Sequence, residues 1–416
     1  MRTVTCMLLC CLWISGCVTR DKASRSLQCL DVVSEQGVAA SALEGARERA
    51  KSDTSAGALV TVGEAWMRLA RVHSAPRFVP AAQDCVDRAL AREPESPLAQ
   101  RLSSLLLLDA HRFREASQLA RTLLAKHPDD VQSWGTLSDA ELELGNVQAA
   151  MDAAQQMLDR KPNLLSYGRA AHLRWLTGDR EGSKRLYSAA IHAGAAMPDR
   201  EPQAWMMTQA AWVFWHEGDY AGARAGFELA ATRVENYVPA LQGLGRTALA
   251  TGDYTSAIAH LERAQALLPQ PEAAWWLGDA YSAAGQGAKA QAAYADVERL
   301  ASRADPRTLA LFCATQKREL RRGLVLAKRA FAERSDVYSK DVLAFSLYRS
   351  GEIAKAAELA RQLLAVGTPD ARILYHAGLI LQASGAAKEG VELQARALAL
   401  NPRFDLHLTQ VIRSES

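Results

Sequence analysis

The sequence predicts an all-α, right-handed solenoid of about ten helix-turn-helix units, and three observations carry that expectation. Glycine-centred turns recur at a period near 34 residues, two positions inside each period hold small side chains, and larger apolar residues surround those positions. The turns are Leu144-Gly145-Asn146, Thr177-Gly178-Asp179, Glu217-Gly218-Asp219, Thr251-Gly252-Asp253, Ala284-Gly285-Gln286, Ser350-Gly351-Glu352 and Ser384-Gly385-Ala386. Their glycines are spaced 33, 40, 34, 33, 66 and 34, and 66 is twice 33. Glycine just past a helix end tolerates the left-handed backbone that turns the chain, so each marks the corner of a helical hairpin.

With the corner glycine at position 15, units start at residues 63, 97, 131, 164, 204, 238, 271, 304, 337 and 371, the first two being aligned through later positions. Position 8 is small in nine units, including Ala211, Gly245 and Gly278, and position 20 is small in all ten, from Ala82 to Gly390. Two helices approach closely only where side chains are small, so these positions record the contact between the first helix of a hairpin, A, and the second, B.

The elements before and after the array read differently. Arg2 precedes an apolar run from Val4 to Ile14 that is too short to span a bilayer. Ile14-Ser15-Gly16-Cys17 resembles the bacterial lipoprotein signal, which implies removal of residues 1–16 and acylation of Cys17 by diacylglyceryl and N-acyl groups. Val18 follows rather than the Asp that retains many such proteins in the inner membrane, so the resemblance implies the outer membrane, facing the periplasm. Residues 17–62 carry no repeat and read as a tether followed by capping helices, and residues 405–416 as a C-terminal cap and polar tail. The step of 40 residues between starts 164 and 204 inserts Pro198-Asp199-Arg200-Glu201-Pro202-Gln203, which predicts a turn or kink dividing the array into arms 63–197 and 204–404.

This pattern resembles the tetratricopeptide repeat family, with Trp66 and Trp134 at its fourth position and Pro94, Pro128, Pro162, Pro269 and Pro402 at its thirty-second. Leu311 at position 8 and Arg318 at the corner depart from it, both in the unit starting at 304.

The chain of 416 residues is 49% hydrophobic and 23% charged, an ordinary folded composition, and a net charge of +3 excludes a strongly basic nucleic-acid footprint. Of seven cysteines, Cys6, Cys10 and Cys11 fall in the signal and Cys17 at the lipidation position. Cys29, Cys85 and Cys313 have no metal-ligand spacing and read as small buried hydrophobes, with a Cys29–Cys85 disulfide as the alternative that an oxidising periplasm allows. Gly285-Gln286-Gly287 sits in a helical corner without a preceding strand, and the histidines are scattered without ligand spacing. No catalytic, metal or cofactor residue is assigned.

The concentrated feature is aromatic. The family resemblance implies that helix A lines a concave face, with positions 2, 5, 9 and 12 pointing inward. Trp205, Trp212 and Trp215 fall at positions 2, 9 and 12, Trp175 at 12, Trp275 and Trp276 at 5 and 6, and Phe312, Phe345 and Tyr348 continue the inward set. Rigid aromatics at these positions predict a partly exposed groove for envelope proteins or peptides, with packing between neighbouring A helices as the alternative. The functional expectation is a lipid-anchored scaffold for an envelope assembly or secretion machine, not an enzyme. A scaffold guiding a glycan is the second reading, since flat aromatics stack on sugar rings, and a cell-wall enzyme the third, which requires an acid/base pair converging in the groove.

Overall fold

The computed structural model describes residues 26–73 and 75–406, so the signal segment, Cys17 and the tail beyond residue 406 lie outside the described residues. Among the described residues the structure is all-α, with twenty-one helices and no strand. No described helix is long and apolar enough to cross a membrane. The chain forms two units that part between Pro162 and Asn163.

The N-terminal unit holds α1 (Val38–Ser52) and the hairpins α2 (Ala56–Val72) with α3 (Val79–Arg92), α4 (Pro97–Asp109) with α5 (Phe113–Lys126), and α6 (Val131–Glu143) with α7 (Val147–Arg160). The C-terminal unit holds seven hairpins. They pair α8 (Leu164–Leu176) with α9 (Arg180–Gly194), α10 (Glu201–His216) with α11 (Tyr220–Arg233), α12 (Val238–Thr251) with α13 (Tyr254–Leu267), and α14 (Pro271–Ala283) with α15 (Gly287–Ala304). The remaining three are α16 (Pro306–Thr315) with α17 (Leu320–Glu333), α18 (Val337–Arg349) with α19 (Ile353–Val366), and α20 (Ala371–Ala383) with α21 (Ala387–Leu400).

Ten A helices therefore occupy the ten expected places, and those starting at 97, 131, 164, 238, 271, 337 and 371 match to the residue. Three do not. α2 begins seven residues early because the Ser55 side chain accepts a hydrogen bond from the Ala58 amide and opens the helix there. α10 begins at Glu201, so the end of the Pro198–Gln203 insertion is helical. Pro202 lies in the first turn, where a missing N–H costs nothing. α16 begins at Pro306, capped by Asp305, which accepts from the Thr308 amide at 2.8 Å.

All seven corner glycines take positive φ, from 73° at Gly285 to 98° at Gly385. Where glycine is missing, His111 (φ 58°) and Lys317 (φ 53°) adopt the same conformation. The small positions are contacts: a Cβ on Gly245 would lie 2.5 Å from Leu261 Cγ, and one on Gly278 2.4 Å from Tyr294 Cε1. Gly245→Leu is therefore expected to overpack the α12–α13 hairpin and cost on the order of 1–3 kcal/mol. Because repeats touch mainly their neighbours, hydrogen exchange should loosen most around residues 204–300; uniform loosening of residues 163–406 would contradict the assignment.

Cys29 and Cys85 form a disulfide, with Cα atoms 4.8 Å apart, so the small-hydrophobe reading is corrected for both, while Cys313 is a buried free thiol. The bond ties the non-helical residues before α1 to α3. Around it the Asp84 carboxylate accepts from the Cys29 amide at 2.8 Å, and the indole N–H of the fully buried Trp66 donates to the Cys29 carbonyl at 2.8 Å.

Candidate functional site

Within the C-terminal unit the chain returns onto its own first hairpins. Thr368 Oγ1 donates to the Leu176 carbonyl at 2.7 Å, and the left-handed Gly178 and Gly367 meet closely enough that a Cβ on Gly178 would lie 3.0 Å from the Gly367 oxygen. Past α21 the non-helical residues Asn401–Asp405 run across the ends of α10 and α12. Asn401 Nδ2 donates to the Trp215 carbonyl at 2.7 Å, Tyr220 Oη donates to Asn401 Oδ1 at 2.6 Å, and Arg403 Nη1 donates to the Ala250 carbonyl at 2.6 Å. Arg246 donates to the Phe404 carbonyl, and the Phe404 ring packs 5.5 Å from that of Tyr375. Beside this seam opens a cleft of about 730 Å³ lined in part by Glu217, Leu364, Leu393 and Arg396.

The expected groove residues divide by exposure. Trp175, Trp205, Trp215, Trp275, Phe312 and Phe345 are buried, none above 6% exposed, whereas Trp212, Trp276 and Tyr348 are half-buried. Partial exposure is therefore corrected for six of the nine, and neighbouring A helices supply the reason for several. Trp275 meets Phe312 of the next A helix edge-on at 5.1 Å, and Phe345 stacks on His376 of the next at 3.7 Å and 8°. Trp212 is the centre of a true cluster, with centroids 5.6 Å from Trp215, 5.0 Å from Phe227 and 6.1 Å from Trp276.

Charged residues share this interior, and the aromatic reading missed them. The Arg246 guanidinium lies between two indoles, 5.2 Å from the Trp215 ring and 5.3 Å from that of Trp276. Burial pulls Arg246 below the ordinary arginine value, against the charges of Asp405 and Asp279. His216 faces Asp370 at 3.3 Å and Trp175 at 4.8 Å; burial lowers the imidazole's pKa despite that carboxylate. Burial works to raise Asp370, but His216, Arg372 and the two α20 amides it accepts from together hold it below the carboxylate range. Burial, with His216 nearby, takes His172 down to about 4. Deeper in, Asp341 meets His376 Nδ1 at 3.0 Å and Arg372 Nε at 3.6 Å. A signal for these groups existed. His172, Arg246 and Asp279 are position 9 of their units, Asp341 is position 5 and Arg372 position 2, the same inward places that carry the aromatics.

Chemically the interior offers cations held against aromatic faces, histidine–aspartate braces between elements, and helix-end carbonyls. Among the described residues no cluster of three His, Cys, Asp or Glu could hold a metal ion.

No curated protein is significantly similar to the sequence. Among solved structures, the human IFIT1 dimer with m7Gppp-AAAA is similar with a TM-score of 0.51 at 16% identity, over 86% of this chain and 84% of that one. The human IFIT1 dimer with PPP-AAAA gives 0.50 at 16% identity, over 88% and 87%. PilW, a widely conserved type IV pilus biogenesis factor, gives 0.43 at 15% identity, over 51% of this chain and 96% of that one. At such identities the IFIT1 likeness is one of fold. A family profile described as tetratricopeptide repeat matches residues 103–164, 243–306 and 343–403, in both units. With ten helical hairpins, seven left-handed corner glycines and small contact positions in register, the chain is a tetratricopeptide repeat protein.

Proposed function

We propose that this protein is an interaction scaffold of the bacterial envelope, held by lipid on Cys17 at the periplasmic face of the outer membrane, and that its ligands are polypeptides. The observation that carries the polypeptide class is the stretch Asn401–Asp405, non-helical chain that turns at Pro402-Arg403 and is held across α10 and α12 by side-chain amide, guanidinium and carbonyl groups. A surface that grips one non-helical segment through main-chain carbonyls has the chemistry to grip others. The role is binding, without a catalytic step.

Two features support the compartment. Ile14-Ser15-Gly16-Cys17 has the order of a lipidation signal, and the Cys29–Cys85 bond suits an oxidising compartment such as the periplasm. Cys17→Ala is expected to move the protein from the membrane to the soluble fraction, with loss of the acyl mass from the N-terminal peptide. A variant that stays wholly membrane-bound would count against the anchor. For the ligand class, crosslinking in cells followed by purification of the full chain should recover envelope proteins, and recovery of polysaccharide instead would overturn the polypeptide reading.

A further inference from the structure

The segment Asn401–Asp405 sits on groups that need partners whether or not it is there. The Ala250 carbonyl lies in the last turn of α12, where carbonyls lack intrahelical partners four residues on, whereas that of Trp215, at the end of α10, already accepts from the Gly218 amide at 3.0 Å and takes a second donor. They receive donors from Arg403 and Asn401. Arg246 is a cation only 8% exposed, fixed between Trp215 and Trp276 by the receptor helices themselves, and it needs an acceptor, which the Phe404 carbonyl provides. Asp405 adds a carboxylate that favours the guanidinium, and Tyr375 gives the Phe404 ring, 4% exposed, an aromatic wall. The segment itself forms no helix. It is held as a ligand is held, by side chains and main-chain oxygens of elements 150 to 190 residues away in sequence.

We infer that this is a peptide-binding site occupied in cis, and that a non-helical segment of a partner exchanges with residues 401–405. The inference rests on the scaffold reading and names the chemistry of its ligand. The partner segment carries an amide or guanidinium donor, then an aromatic residue whose carbonyl meets Arg246, then an acidic residue. Displacing the cis segment also releases the contacts that tie α10 and α12 to the end of the unit, so binding loosens the seam.

The test uses the full chain and a fluorescent peptide with the sequence of residues 399–406, titrated by anisotropy. Asn401→Ala with Phe404→Ala weakens the cis occupant and should bind the peptide about tenfold or more tightly than the unaltered chain, because an occupied site reduces apparent affinity by its free fraction. Adding Arg246→Ala should return binding to the level of the unaltered chain or below. Equal binding by both chains, or no binding by a variant whose helical circular dichroism is intact, would overturn the inference. If the double variant does not fold, the unaltered chain decides: excess peptide should raise hydrogen exchange at residues 401–406, and unchanged exchange overturns exchange in trans. Failure here with envelope proteins still recovered from crosslinked cells leaves the scaffold standing, whereas failure of both removes it.

Discussion

Cys29→Ala combined with Cys85→Ala is expected to destabilise the N-terminal unit by about 4 kcal/mol, leaving the C-terminal unit unchanged. The bond joins residues 56 apart in sequence, and closing a loop of that length removes a large part of the unfolded chain's entropy. The folded-state consequence points the same way. Residues 28–36 form no helix, and their hold on the unit runs through this bond, the Cys29 amide donation to Asp84, the Trp66 donation to the Cys29 carbonyl, the Arg47 donation to the Leu30 carbonyl at 3.1 Å, and an exposed Arg77–Glu35 pair. The last is worth little by itself. The unit has only three hairpins over which to share the loss. Hydrogen exchange on the full chain reads both halves at once, and it should accelerate between residues 28 and 92 and stay constant from 163 onward. Dithiothreitol should reproduce the effect in the unaltered chain and do nothing further to the variant. Equal exchange in variant and parent would sink the claim that the bond stabilises this unit.

The disulfide also marks where sequence reasoning ran out. Pairing Cys29 with Cys85 depends on where the residues before α1 lie, and those residues carry no repeat that would place them. Inside the array the reverse holds. A left-handed backbone is needed at every corner, glycine meets it most cheaply, and so the glycine spacing located the seven hairpins that carry one. His111 and Lys317 show that the requirement belongs to the corner rather than to glycine. The Pro198–Gln203 insertion holds both a turn and a helix start, since residues 198–200 form no helix and Pro202 is accepted in the first turn of α10, where proline does not break a helix. The two compact units part between Pro162 and Asn163. The inward face of helix A was legible from its period. What lies opposite that face was not, since Asn401, Arg403 and Phe404 reach α10 and α12 across 150 to 190 residues, a separation that a nearest-neighbour repeat pattern does not encode.

That same contact decides what the tryptophans do. Trp205→Ala and Trp215→Ala are each expected to cost about 3–5 kcal/mol, as for buried core aromatics, while Trp212→Ala, half-buried in the same helix, should cost less. A groove of exposed anchors would behave in the opposite way, losing partners with the fold intact. Trp215 carries an added burden, because its ring is one of the two faces that hold Arg246; truncating it leaves a buried cation with one aromatic wall and loosens the grip on the Phe404 carbonyl. The losses at Trp212 and Trp215 should not add, since the two rings touch. Thermal unfolding of the three single variants and the triple variant, together with partner recovery from crosslinked cells, separates the roles. Trp215→Ala should lower the midpoint by on the order of 10 °C. Trp212→Ala should keep most of the midpoint, and loss of partners in that variant would assign it to recognition. If Trp215→Ala melts with the parent and still fails to recover partners, its indole is a recognition anchor, and the packing that the closed interior assigns to it is wrong.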